Sequence, residues 1–162
     1  MITDRLVIRA ALPPDTDAVL ATVDDEVITA NGFPPEYLTT LNRIVSLGAG
    51  SRLLRVICLR GSGEIIGVIQ PYSPEQLATD RSHIGMWLGP HARGQGYGRE
   101  ALRGYVTDAH ARGHRVVVAT TRPGNAAVRH LLESEGFVET EPIEHRGEED
   151  PSEPSVCYEH RS

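Results

Sequence analysis

The stretch "MWLGPHARGQGYGREAL", Met86 to Leu102, sets glycines at 94, 96 and 98 between Arg93 and Arg99, directly after a strand-like run and directly before a helical one. A helix N-terminus leaves backbone N–H groups unpaired and carries partial positive charge. Glycines ahead of it let an anionic group approach those amides without a Cβ in the way, and phosphates are the usual guests. A charge-assisted amide hydrogen bond contributes about 1.5 to 3 kcal/mol, against about 0.2 to 1 kcal/mol for an exposed arginine pair. The backbone of Gly94, Gln95, Gly96, Tyr97 and Gly98 is therefore expected to hold the anion, with Arg93 and Arg99 as helpers.

Other glycine motifs fit less well. Gly96-x-Gly98-x-x-Ala101 matches part of a dinucleotide fingerprint, but those glycines follow their strand at once and an acidic residue ends the next strand. Here seven residues separate Leu88 from Gly96, and the next strand ends in Thr120 and Thr121. A P-loop needs Gly-Lys-Ser/Thr, and the chain has no lysine. A loop with incidental glycines is the bland alternative.

Working outward, "RLVIRAA" (Arg5 to Ala11) reads as a strand, and "PPDTDAVLATV" after it as a helix with proline and aspartates in its first turn, where the helix dipole favours them. "PPEYLTTLNRIVSLGAG" repeats that design, with Leu38, Leu41 and Val45 at helical spacing. "RLLRVICLR" and "EIIGVIQ" flank Gly61-Ser62-Gly63 and read as a hairpin, and "SHIGMWLG" supplies a fourth strand. From Gly98 the period becomes helical, through Ala101, Leu102, Tyr105, Val106 and Ala109. "VVVAT" (Val116 to Thr120) is short and continuously apolar, as expected of a strand covered on both faces. "NAAVRHLLESEGF" is a further helix stopped by Gly136. The acidic 144–154 segment reads as a solvated loop between two last short strands. The expectation is one domain over residues 1–162, an α/β (α+β) fold with about seven strands and about four helices.

Composition narrows the partners. The net charge of −6 argues against a polyanion such as nucleic acid and suits an amine-bearing partner. No run approaches the roughly 20 apolar residues of a membrane helix, and "MITDRLVIRA" lacks a signal-peptide core; a cytoplasmic protein is expected. Cys58 and Cys157 have no metal-ligand spacing and read as buried thiols, so no metal is expected. All 16 basic residues are arginine, which fits codon bias in a GC-rich bacterial genome.

Arg93-Gly94-Gln95-Gly96-Tyr97-Gly98 resembles the Arg/Gln-x-x-Gly-x-Gly/Ala signature of the GNAT superfamily of acetyl-CoA-dependent N-acetyltransferases. Asn125 with "AAVRHLLESEGF" is similar to that family's later asparagine-led helix. The segments "TDRLVIRAALPPDTDAVL" and "IGMWLGPHARGQGYGREAL" look most like the branch that includes ribosomal-protein alanine N-acetyltransferases, so the resemblance runs from Thr3 to Phe137. It implies a mixed, centrally splayed sheet, with acetyl-CoA as co-substrate. Its pyrophosphate would lie on the Gly94 to Gly98 loop and its pantetheine arm along Trp87, Leu88 and Gly89. For Asn125 the alternatives are a coenzyme contact and a helix N-cap, which can coexist.

Transfer to an amine requires a base for its proton and a donor for the oxyanion. The resemblance makes the Leu88 amide the donor. His83 is the candidate base, by its place on the fourth strand and its ordinary pKa near 6.5; a strand-edge histidine is the alternative. Many family members carry a tyrosine seven residues after the asparagine, as the acid for the leaving thiolate, but Leu132 stands there. Asn31, Tyr37 and Tyr72 fall in segments that border the acceptor cleft by resemblance. His110 and His114 lie four apart without the glutamate of HExxH, and read as cationic groups at a helix C-terminus. The expected acceptor is a protein N-terminus or an amine-bearing small molecule, with a non-catalytic acetyl-CoA-binding module as the alternative. Oligomeric state stays open between monomer and homodimer.

Overall fold

A computed structural model describes residues 1–34, 36–46, 54–70, 80–141 and 155–162. Seven strands form one sheet in the order β1-β2-β3-β4-β5-β7-β6. They are β1 (Leu6–Ala10), β2 (Arg55–Leu59), β3 (Ile65–Gln70), β4 (Arg81–Leu88), β5 (Val116–Thr121), β6 (Val138–Thr140) and β7 (Val156–Arg161). Only β4 and β5 are parallel; every other neighbouring pair is antiparallel. The hairpin expected around Gly61 to Gly63 is the β2–β3 connection, and Gly63 takes a φ of 75°.

The described residues contain five α-helices: α1 (Thr16–Leu20), α2 (Asp25–Asn31), α3 (Tyr37–Ser46), α4 (Tyr97–Ala111) and α5 (Ala126–Ser134). Two helices were expected after β1, and the described residues hold three. "PPDTDAVL" forms a 3₁₀ turn at Pro13–Asp15 and then the short α1. Asp24 starts a separate helix, accepting a hydrogen bond from the Val27 N–H. Gly32 closes that helix at a φ of 64°. The segment 144–154, Tyr72 and the glycines at 48 and 50 lie outside the described residues.

The sheet separates two apolar layers. On one face, α4 and α5 bury Ala101, Leu102, Tyr105, Val106, Ala109 and Leu132 against Leu6, Ile57, Ile84, Val117 and Tyr158. On the other, α1 to α3 bury Val19, Val27, Leu41 and Val45 against Val56, Val68 and Trp87. β5 is covered on both faces, as its continuous apolar run predicts: Val116, Val117, Val118 and Ala119 are all buried. Cys58 and Cys157 are buried free thiols.

Candidate active site

The seam between β4 and β5 opens part-way along. Their ladder runs from Arg81↔Val116 to Ile84↔Ala119 and stops there. Both strands continue, but β4 is then paired only with β3, from Gln70↔Gly85 to Gly67↔Leu88. β5 stays with β7 through Thr121↔Val156. The sheet is splayed at its centre.

The direction of the β4 backbone at this opening follows from its register. Gly89 N–H donates to the Ile66 carbonyl at 2.9 Å. Antiparallel ladders alternate hydrogen-bonded and non-hydrogen-bonded pairs, so Gly85, Trp87 and Gly89 bond to β3. The N–H and C=O groups of Met86 and Leu88 therefore point to the other side, where β5 has moved away. The side chains divide in the same way. Met86 and Leu88 pack on the α4 face, while Trp87 turns to α1 and α2 and donates its indole N–H to Thr22 Oγ1 at 2.9 Å. Phe33 and Tyr37 stack on each other and meet the Trp87 ring edge-on. Tyr37 also donates to Gln70 Oε1 at 3.3 Å, whereas Asn31 spends its side-chain N–H on the Val27 carbonyl.

The glycine loop stands at the open end of this seam. Gly94 and Gly96 have φ values of 71° and 79°, in the left-handed region that a residue bearing a Cβ enters at a cost. Gly96 is the N-cap of α4, and no side chain caps it. The first amides of a 15-residue helix thus face the loop without a protein acceptor from the cap. Gly98 has no such φ requirement. A Cβ there would stand 3.6 to 3.9 Å from Leu88 Cδ1, Leu131 Cδ2 and Met86 Cε, so Gly98 opens onto an apolar wall shared by β4 and α5. Uncapped amides beside an apolar wall fit an elongated ligand with a charged middle and an apolar arm.

The side chains around the loop do not all behave as expected. Gln95 Nε2 donates to the His91 carbonyl, bracing the loop on itself. Arg5 Nη1 donates to the Gln95 carbonyl, and its guanidinium lies 4.6 Å from the centre of the Tyr97 ring. Arg99 reaches α5, pairing with Glu135 at 3.1 Å and donating to Ser134 Oγ at 3.0 Å. Arg93, expected as a helper to the anion, turns to Asp24, Glu26 and the Leu88 carbonyl. Asp24 and Glu26 were missed in the sequence; the signal was an aspartate three residues before the apolar Val27, which marks a helix start.

Asn125 is the N-cap of α5, its side-chain oxygen accepting from the Val128 N–H at 3.2 Å. That leaves its Nδ2 as the group able to meet a ligand. Leu132 is buried in the core, so packing accounts for the leucine where the family resemblance leads to the expectation of a tyrosine. His83 is half-buried on β4 opposite Val118 and accepts at its carbonyl from Tyr105 Oη. Strand alternation puts it on the Trp87 face, about 10 Å along the strand from Met86 and about 16 Å from Leu88. His110 and His114 do not form a ligand pair. Instead His110 Nδ1 meets the His114 carbonyl at 2.7 Å, and His110 Nε2 meets His160 Nδ1 at 3.0 Å. Among the described residues no three His, Cys, Asp or Glu side chains are grouped as metal ligands, and no helix is long and apolar enough to cross a membrane.

The model of the acetyltransferase (GNAT) domain matches residues 5–138, which include the splayed seam, the glycine loop and α5. The chain belongs to the GNAT acetyltransferase family. Solved GNAT structures share its architecture along nearly their whole length. A ribosomal-protein-alanine N-acetyltransferase from Brucella melitensis is 27% identical, with a TM-score of 0.72, over 96% of this chain and 99% of that one. A GNAT acetyltransferase from Bacillus anthracis is 21% identical, with a TM-score of 0.76, over 98% and 95%. RimL, a ribosomal-protein α-N-acetyltransferase in complex with coenzyme A, is 19% identical, with a TM-score of 0.72, over 99% and 96%. No curated protein sequence gives a significant match. As a member of this family the chain is an N-acetyltransferase.

Proposed function

We propose that this N-acetyltransferase uses acetyl-CoA and acetylates a primary amine, with a protein N-terminus as the leading acceptor and a small amine as the second. The observation that carries the reading is the junction of two features at one place: the uncapped, glycine-led start of α4 and the strand end of β4 left open by the departure of β5. The first suits a pyrophosphate and the second an amide-bearing arm that pairs with a strand edge. A coenzyme A complex of a structural relative supports the choice of coenzyme, and the ribosomal-protein-alanine acetyltransferase from Brucella melitensis supports the choice of acceptor.

In this reading the Gly94 to Gly98 backbone holds the pyrophosphate, with Tyr97 and Arg99 flanking it. Trp87 to Gly89 border the arm. The N–H of Leu88, directed into the seam, stabilises the oxyanion that develops on the thioester carbonyl; that of Met86 points the same way. His83 takes the proton of the acceptor amine. Its separation from Met86 of about 10 Å along the strand requires ordered water between imidazole and amine.

Turnover of acetyl-CoA with a panel of peptides and small amines tests the reading. Acetylation of an N-terminal amine is expected, and tight acetyl-CoA binding with no turnover of any amine would overturn it. His83→Ala should lower kcat at saturating acetyl-CoA by about 100-fold to 10,000-fold, as general acid–base groups do, and should barely move coenzyme affinity. Wild-type turnover in that variant makes His83 a structural residue.

A further inference from the structure

Arg93 occupies the first position of the glycine signature, where a cation would be expected to face the coenzyme's phosphates. Its bonds lead elsewhere. Nε donates to the Leu88 carbonyl at 3.1 Å. Nη2 and Nη1 donate to the two carboxylate oxygens of Asp24, at 2.7 and 3.0 Å, and Nη1 also donates to Glu26 Oε2 at 2.7 Å. Little of the donor fork is left for a phosphate.

Each of these contacts falls on a part of the site. The Leu88 carbonyl faces the open seam, where no strand among the described residues satisfies it. Arg93 fills that need, so the peptide that ends β4 is held at both ends: Arg93 on the Leu88 oxygen, and the Ile66 carbonyl on the Gly89 N–H. The Leu88 N–H, on the same strand edge, is oriented as a consequence. Asp24, the other partner, caps α2 through the Val27 N–H at 2.9 Å. At its far end α2 stops at Gly32, where an added Cβ would fall 2.5 Å from Arg122 Nη2. Arg122 follows directly on β5. α2 thus lies as a strap between the end of β4, through Arg93, and the end of β5, through Arg122. The pairing is close enough that Arg93 holds the Asp24 carboxyl below its ordinary range.

We infer that Arg93 is a positioning residue, which fixes the Leu88 peptide and ties the acceptor-side helix α2 to the coenzyme loop, rather than a ligand of the coenzyme's phosphates. The inference rests on the proposed acetyl-CoA reading for its catalytic consequence. Misplacement of a reacting geometry by about 1 Å can cost about 100-fold in rate, so loss of this link should appear in turnover and not in coenzyme affinity.

Three variants test it: Arg93→Gln, Asp24→Asn and the pair together. Calorimetry should give acetyl-CoA affinities within about threefold of wild type for all three, while kcat at saturating acetyl-CoA falls by at least about tenfold in each single variant. The double variant should be no slower than the worse single one, because both remove the same link. Amide hydrogen exchange supplies a readout independent of turnover. Residues 86–89 and α2 should lose protection by about tenfold in both single variants, while α5 keeps its own. A tenfold loss of coenzyme affinity in Arg93→Gln with kcat retained would overturn the inference in favour of a phosphate ligand, and so would unchanged exchange at both segments in Asp24→Asn. Should wild-type protein fail to bind acetyl-CoA, the functional reading falls, and the exchange measurement still decides the link between β4 and α2.

Discussion

Two helices of this protein begin beside the same seam in opposite ways. α5 starts at Asn125, whose side chain accepts from the Val128 N–H and so satisfies one of the helix's own orphan donors. α4 starts at Gly96, which has no side chain to do so. The side-chain cap on one terminus and its absence on the other show how a chain keeps a binding site available: it withholds the cap. The same contrast exists between the ends of α4. Its last turn is tied down by His110, bonded to both the His114 carbonyl and His160. Its first acidic residue, Glu100, is spent on Thr3 and Arg5 and cannot fold back on the amides.

The contrast breaks most sharply if α4 is given the cap it lacks. Gly96→Asp places a carboxylate on the amides proposed for the pyrophosphate, at a left-handed φ that aspartate tolerates better than most residues. Acetyl-CoA affinity should fall by at least about a hundredfold, or about 2.8 kcal/mol, while the unfolding midpoint falls slightly, because a Cβ at this left-handed φ carries a small cost. Calorimetry and a thermal melt check both parts, and unchanged affinity would take the loop out of the site.

Removing the cap that α5 does have should act on stability instead. Asn125→Ala is expected to cost about 1 kcal/mol of folding free energy, read by denaturant unfolding, with coenzyme affinity within about tenfold of wild type. A larger affinity loss would make the α5 terminus a second coenzyme contact through Asn125 Nδ2.

The smallest effect sits at the far end of α4. Burial, with His110 adjoining, lowers the pKa of His160 from its ordinary 6.5. The folded state therefore disfavours the proton, and between the two values the unfolded chain binds more protons than the folded one. Stability from this group is complete above about pH 6.5 and declines as pH falls through the lowered value. His160→Gln should flatten that part of the stability–pH curve, measured by denaturant unfolding at steps between pH 7.5 and 5. A curve as steep as wild type would assign the slope to other groups.

Much of this architecture was legible because its signals are local. The apolar run from Val116 to Ala119 reads as a strand covered on both faces, and all four side chains are buried. Gly136 ends α5 with a φ of 85°, and the periodicity through Ala101, Leu102, Tyr105, Val106 and Ala109 is the buried face of α4. α2 was not legible in the same way. Asp24 sits among acidic neighbours that look like a solvated turn, and its importance lies in Arg93, 69 positions further along the chain. Arg93 shows the limit from the other side: its type and its place in the signature suggest a phosphate helper, whereas its contacts turn it to α2 and β4.

The sequence by itself determined the family, the strand and helix order around the glycine loop and the uncapped start of α4, because backbone freedom, capping and periodicity depend on residues within a few positions of one another. Only the tertiary structure decided where β4 parts from β5, that Met86 and Leu88 turn their backbone into the gap, and which acids hold Arg93. Those outcomes depend on strand register and on contacts between distant segments, and a register shift of one residue, invisible in composition or spacing, would point every group on that strand the other way.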